Sequence, residues 1–396
     1  MKKEAFTPAS PTSGGRKNNS VIYLCITLGF LLCLFLAGAA MLLTPDKAQS
    51  ETENRVLAQK PKLSWSTLTD GSFMRDYETY LTDQFPHRDA WVSLRAGIST
   101  LTGAREQNGV FRTKSGFLLE KQTPFDSSLL SELTGAIKSF LKKNKTLSSA
   151  MILAPNASLL LEEEMPYGLR QDDQQKQLKD IHAMLKGVDL KWVSCLKQFE
   201  GADAHTLYYR TDHHWTTHAA FSAFLGLNKA WKLGVKAENY TFYPVATDFS
   251  GTLSATYGER RLRDTVEVCI PKQSCGTYTV FYEAQGKKTA TLFSSEKLEG
   301  KNKYEVFLGG NFDKVIISTT ADTENALLLF KDSYANCLIP MLTPYFSKIV
   351  VIDPRYFNDS LSAVLEETTF THVLFVYNAN TFLEDRSLAP LLKSAN

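Results

Sequence analysis

The six cysteines form no C-x-x-C pair, so a thiolate zinc centre has no ligand spacing to build on. H-E-x-x-H is absent as well. There is no long basic run, and Lys plus Arg outnumber Asp plus Glu by only 44 to 42. That balance lacks the concentrated positive face that nucleic acid requires. No fixed-period repeat or low-complexity tract is visible. Histidine is scarce too, with seven among 396 residues, yet three of them fall within six positions in YYRTDHHWTTHAAF, residues 208–221. What remains is ordinary for a globular chain, 43% hydrophobic and 22% charged, and long enough for one large core or two smaller ones.

Only one long apolar run exists. Residues 21–43, VIYLCITLGFLLCLFLAGAAMLL, carry no charge, and a bilayer core takes about 20 residues of helix. The segment before it is polar, with Lys2, Lys3, Arg16 and Lys17 against Glu4; Asp46 and Lys47 cancel after it. This asymmetry predicts a cytoplasmic tail over 1–20, a transmembrane anchor over 21–43, and everything beyond about 46 outside the cytoplasm. A cleaved signal peptide is the alternative, since small residues at 37–40 suit a peptidase, although the run is long for one. In an oxidising compartment Cys269 and Cys275, six apart, could close a small loop. Cys195 and Cys337 read as core positions.

Residues 44–105 read as a polar stalk followed by two amphipathic helices broken at Phe85-Pro86. From 106 to 396 strands and helices alternate. GVFRTKSGFLLE predicts a hairpin turning at Lys114 to Gly116. SAMILAP and KWVSCL predict strands, with helices around 129–142 and 172–186. Residues 236–310 become β-like and read as an inserted β subdomain. NALLLFKDSYAN, KIVVIDPRYF and THVLFVYNANTF are apolar runs ending in polar clusters. Strands buried on both faces look like this, so the fold class is α/β, a parallel sheet flanked by helices. Ligands of such sheets sit at the carboxyl ends of the strands.

Three readings of the histidine cluster compete. His214 and His218 are four apart with Asp212 nearby, a set that can hold a metal, but no further Asp, Glu or His cluster offers the missing ligands. A polar helix start would also explain Asp and Thr here, because both cap free N–H groups. The third reading is acid/base work. A serine hydroxyl needs an imidazole to take its proton and a carboxylate to hold that imidazole. Asp212 and His214 could supply both from one turn. Ser333, on the turn after the LLLFKD strand, is where a nucleophile would be presented.

These residues also carry a resemblance. Asp212-His213-His214-Trp215 is the motif of the DHHW family, and ENRVLAQKP, YLTDQFPHRD, GVFRTKSGFLLE, ILAPNA, FLGGN, FKDSYAN and VVIDPRYF match in order across most of the chain beyond the anchor. That family is similar to the alginate O-acetylation proteins, which have the SGNH-hydrolase fold. The resemblance implies Ser333 as nucleophile, His214 as base and Asp212 as its orienting partner, in a permuted order with the serine block last. It also implies a membrane-bound O-acyltransferase as partner. Two positions depart from the pattern: Lys331 stands where a glycine is usual, and His213 where a small polar residue is. His213 is expected beside the site or facing substrate. Asn378, Asn311 and Asn156 follow apolar runs and are candidate oxyanion donors beside the Ser333 N–H. Arg355 and Arg210 could bind an anionic group or pair with nearby aspartates. Trp215 and Tyr334, with Tyr208 and Tyr209, could floor a sugar cleft.

The expectation is therefore a membrane-anchored, extracytoplasmic acyltransferase that O-acetylates a surface or exported polysaccharide through an acetyl-serine, with no metal and no cofactor. A glycan acetylesterase using the same three residues is the first alternative. A non-catalytic glycan-binding scaffold of an envelope assembly is the second.

Overall fold

The computed structural model describes residues 14–50, 55–103, 105–165, 173–272 and 276–395. They fall into two compact units that part near Trp91. In the first, helix Gly14–Leu43 contains the span Ser20–Leu43, 24 residues of mean hydropathy 2.5 with none of its window buried. It is the one helix among the described residues long and apolar enough to cross a membrane. A two-stranded ribbon, β1 (Gln49–Ser50) with β2 (Arg55–Val56), and helices Trp65–Thr69 and Ser72–Asp83 follow. Helix Arg88–Leu101 begins just after Pro86, as the expected break requires.

The second unit opens with a small antiparallel sheet, β3 (Glu106–Gln107), β4 (Val110–Arg112) and β5 (Leu118–Glu120). The β4–β5 turn passes through Gly116 at φ +95°, a conformation that favours glycine. The main sheet takes β6 (Ser148–Ala154) and β7 (Leu190–Val193) from before the histidine cluster. After it come a separate ribbon of β8 (Tyr240–Phe249) and β9 (Asp264–Pro271), then β10 (Tyr278–Tyr282), β11 (Lys287–Thr289), β12 (Lys314–Thr319), β13 (Ala326–Lys331), β14 (Lys348–Ile352) and β15 (His372–Asn378). The eight strands of the main sheet lie in the order β11-β10-β12-β14-β13-β15-β6-β7. The five from β14 to β7 are parallel; β12, β10 and β11 extend that edge antiparallel.

The apolar runs explain why the sheet is central. Alternate residues of a strand face opposite ways. Leu327 and Leu329 join one core and Leu328 and Phe330 the other; β14 and β15 divide in the same manner. Helix Thr217–Trp231 covers the first face with Ala219, Ala220, Ala223, Phe224 and Leu227. Helices Ser127–Lys143, Gln174–Met184 and Leu388–Ser394 cover the second. The chain runs from β13 outward to β14 and then crosses back to β15, so the sheet reverses direction beside the carboxyl end of β13.

The expected β insertion divides in two. Only β8 and β9 stand apart; β10 and β11 are part of the main sheet, because β10 pairs with β12. Cys195 and Cys337 are core residues, as read. Cys269 is buried, while its expected partner Cys275 lies outside the described residues.

Candidate functional site

The last residue of β13 is Lys331, and the chain turns at Asp332 into a 3-10 turn, Ser333–Cys337. Asp332 makes that turn. Its carboxylate accepts from Tyr334 N at 2.9 Å and from Asn378 N, at the end of β15, at 2.8 Å. Its own N–H donates to Val376 O at 3.1 Å. Asp332 therefore caps the turn and ties β13 to β15. Burial raises its carboxyl above the ordinary range. No glycine is required: Asp332 is extended (φ −110°, ψ −171°), and Lys331 is not among the residues of positive φ. Ser333 is left half-buried at the rim. Its N–H, first in the turn, is one of the donors a helix start leaves without an internal acceptor.

The DHHW segment reaches the same rim from the sheet's first face. Trp215 is fully buried, and its indole N–H donates to Tyr334 O at 2.9 Å. The Tyr334 hydroxyl donates to His213 O. These two bonds fasten the segment to the serine turn, so that His214 Nε2 lies 2.8 Å from Ser333 Oγ. His214 Nδ1 lies 2.6 Å from Asp212 Oδ1, and since a carboxylate only accepts, Nδ1 carries the proton and Nε2 is free to accept from Ser333.

Asp212 is sealed, with its side chain inaccessible to solvent. It accepts four hydrogen bonds: from His214 Nδ1 and N on Oδ1, and from Thr252 N (2.8 Å) and Oγ1 (3.0 Å) on Oδ2. Burial alone would raise its carboxyl, but the neighbouring imidazoles and these donors outweigh burial and hold it far below the usual range. The sign of the pH effect follows. A depressed native pKa stabilises the fold fully above the unfolded value, about 3.9, and that contribution is lost as pH falls below it. The stability gap between the wild type and Asp212→Asn, measured by urea unfolding, is thus expected to shrink as pH falls below about 4. A gap that widens below about pH 4 contradicts this assignment.

Tyr304 is a site residue that the sequence reading missed. Its ring stacks on His214 with centroids 3.7 Å apart and planes 14° from parallel, and its hydroxyl donates to Ser333 O at 3.1 Å. Thr252 and Gly251 were missed as well. Tyr304 stands three residues before FLGGN, yet no spacing rule links it to a histidine ninety positions upstream.

The other candidates separate clearly. Asn378 is not aimed at Ser333: its side-chain oxygen caps the next helix, accepting from Asn380 N (2.9 Å) and Thr381 N (3.4 Å). The Asn156 amide is committed to Glu120 and Gln174. Asn311 differs. Its oxygen accepts from Lys331 Nζ (3.0 Å) and Asn336 Nδ2 (3.2 Å), and its own NH2 has no partner among the described residues. Arg355 clamps Asp353 through two bonds, 2.8 and 2.7 Å, and Lys331 approaches the same carboxylate at 3.2 Å. Arg210 turns to Asp264 and to Arg263 O. Both arginines thus serve the fold.

The aromatic floor is not present: Tyr208, Tyr209, Trp215 and Tyr334 are each at most 3% exposed and pack in the core. His213 lies at the site, with Nδ1 on Thr252 Oγ1 at 2.9 Å and burial lowering its pKa. Donor atoms of Asp212, His213 and His214 lie within 4.8 Å of one another, which is metal-like spacing. Both Asp212 oxygens and both His214 nitrogens are engaged in the hydrogen bonds above, leaving only the His213 ring with a nitrogen to spare. His218 pairs with Glu267 instead.

A mostly parallel α/β sheet whose rim aligns a hydroxyl, an imidazole and a sealed carboxylate belongs to the SGNH-hydrolase-like class, whose chemistry is acyl transfer. More specifically, the chain belongs to the family described as SGNH hydrolase-like domain, acetyltransferase AlgX, whose model matches residues 111–310. That span carries Asp212 and His214 and ends before Ser333. Among solved structures, a DHHW family protein from Eubacterium siraeum is 23% identical, with a TM-score of 0.62 over 73% of this chain and 96% of its own. Bacillus cereus PatB1 with a sulfonyl adduct is 18% identical, with a TM-score of 0.60 over 71% of this chain and 98% of its own. No curated protein matches the sequence.

Proposed function

We propose that this chain is a membrane-anchored acyltransferase that moves acetyl groups onto hydroxyls of a cell-surface or exported polysaccharide. The observation that carries the proposal is the 2.8 Å approach of His214 Nε2 to Ser333 Oγ, with Asp212 behind the imidazole. His214 takes the Ser333 proton as Oγ attacks the acetyl carbonyl. The donor's leaving group departs with that proton, which leaves acetyl-Ser333 and neutral His214. His214 then takes a proton from a sugar hydroxyl, the sugar oxygen attacks the acetyl carbon, and Ser333 leaves with the proton. The Ser333 N–H and the Asn311 NH2 are the donors assigned to the developing oxyanion.

The apolar helix Ser20–Leu43 serves as a single-pass anchor with the N-terminus cytoplasmic, and residues 106–396 form the extracytoplasmic catalytic domain. An acetyl donor outside the cytoplasm requires delivery through the membrane, which a membrane-bound O-acyltransferase partner would provide.

The test uses the full chain in detergent with a chromogenic acetyl ester. Acetyl release is expected, a sulfonyl fluoride is expected to block it by labelling Ser333, and added oligosaccharide is expected to divert acetyl from water to sugar. Release that never diverts, whatever glycan is offered, would leave an esterase. Labelling of a residue other than Ser333 would end the proposal.

A further inference from the structure

His213 stands beside the reacting pair, and no step above uses it. Its backbone is pinned, because the Tyr334 hydroxyl donates to His213 O. Its ring centre lies 4.0 Å from that of His214, with the planes 35° apart. Both rings turn Nδ1 toward the same oxygen, Asp212 Oδ1, which is 2.6 Å from His214 and 3.8 Å from His213. The opposite edge of each ring, which carries Nε2, therefore faces away from the carboxylate. For His214 that direction leads to Ser333 Oγ, 2.8 Å from Nε2. Two imidazole edges thus lie side by side near the serine, one engaged and one open. The His213 side chain keeps 29% of its surface exposed, and its Nε2 has no partner among the described residues.

The hydrogen-bond chain fixes what the open nitrogen can do. A carboxylate only accepts, so the single Thr252 hydroxyl proton goes to Asp212 Oδ2, at 3.0 Å. Thr252 Oγ1 can then only accept from His213 Nδ1, 2.9 Å away, which puts the His213 proton on Nδ1 and a lone pair on Nε2. Burial lowers the His213 pKa, so the ring is neutral near pH 7 and the lone pair persists. An asparagine amide could make the Thr252 bond as well; what the imidazole adds is the far nitrogen. We infer that His213 Nε2 accepts a hydrogen bond from a second hydroxyl of the acceptor, adjacent to the one that His214 deprotonates. The acceptor is then a vicinal diol, as a sugar ring offers. This rests on the acyl-transfer reading of Ser333. A hydroxyl in that place satisfies Nε2, whereas an ether oxygen cannot donate and leaves two acceptors facing each other.

The experiment measures how acetyl-Ser333, formed from a chromogenic acetyl ester by the full chain in detergent, divides between an added alcohol and water. That ratio is set after acylation, so a variant that acylates slowly does not distort it. The alcohols are trans-1,2-cyclohexanediol and its monomethyl ether, and the products are read by mass spectrometry. In wild type the diol is expected to be favoured by about fivefold per hydroxyl, the worth of one neutral hydrogen bond. His213→Asn, which keeps a donor for Thr252 and lacks the far nitrogen, is expected to erase that preference. His213→Gln, whose amide oxygen reaches the Nε2 position, is expected to keep it. Any other pattern overturns the inference: no transfer or no preference in wild type, a preference kept by asparagine, or one lost by glutamine. Acetyl release without the preference leaves the Ser333 reading standing. Absence of both release and acetyl-Ser333 removes that reading and the inference with it.

Discussion

Ser333→Ala is expected to reduce acetyl release from a chromogenic ester by at least about a thousandfold, since removing the nucleophile of a coupled set leaves only binding and oxyanion stabilisation. The fold should hold. Ser333 is half-buried, its hydroxyl bonds only His214 Nε2 among the described residues, and the turn is capped by Asp332. Near-ultraviolet circular dichroism should therefore match the wild type. Asp212→Asn is expected to fall comparably, also by at least about a thousandfold, because an amide can donate to Nδ1 and so favours the wrong tautomer. Combining the two should add little, as residues that act as one unit are not additive. If Ser333→Ala keeps full release, the hydroxyl is not the nucleophile. Preserved activity in Asp212→Asn alone would mean that the Tyr304 stack suffices to hold the imidazole.

Much of this arrangement can be read without coordinates, for identifiable reasons. β13, β14 and β15 are continuous apolar runs, and burial on both faces leaves no other pattern for such strands. Asp212 and His214 are two residues apart, so their bond is local and needs only a turn. Ser333 could be paired with them because a strand end is where a parallel sheet presents reactive groups. Partnership over long distances is harder. β10 alternates visibly, but the residues do not say that its neighbour is β12 and not β9. The Asn156 and Asn378 amides look free in sequence and are consumed by a glutamine 18 residues on and by a helix start. Arg355 looks available until Asp353, two residues before it, is seen to hold it from both sides. The four aromatic residues illustrate the same limit: an amphipathic side chain has the same letter whether it lines a cleft or a core. Tyr304 reaches His214 and Ser333 only across the fold.

Gly251→Ala tests the least conspicuous support of the site. The residue sits at φ −83°, ψ −170°, a conformation open to any amino acid, so a requirement for glycine here is steric and not conformational. A Cβ at this position would overlap the Asp212 side chain, at its own Cβ and at Oδ2. Neither partner can retreat cheaply. Gly251 N donates to Thr211 Oγ1 at 3.0 Å, and Asp212 is held by four donors. Relief therefore has to come from turning the carboxylate away from Thr252 and His214. Overpacking of this kind costs about 1–3 kcal/mol of stability. Activity should fall toward that of Asp212→Asn, by about a hundredfold or more, because an imidazole displaced by even 1 Å loses its line to the hydroxyl. Gly135→Ala is the control. Nothing lies within 4 Å of its Cβ, and it sits inside helix Ser127–Lys143, where alanine gains about 0.5–1 kcal/mol over glycine. Full activity in Gly251→Ala, with urea unfolding unchanged from wild type, would show that the carboxylate has room to move and is not the fixed anchor of His214.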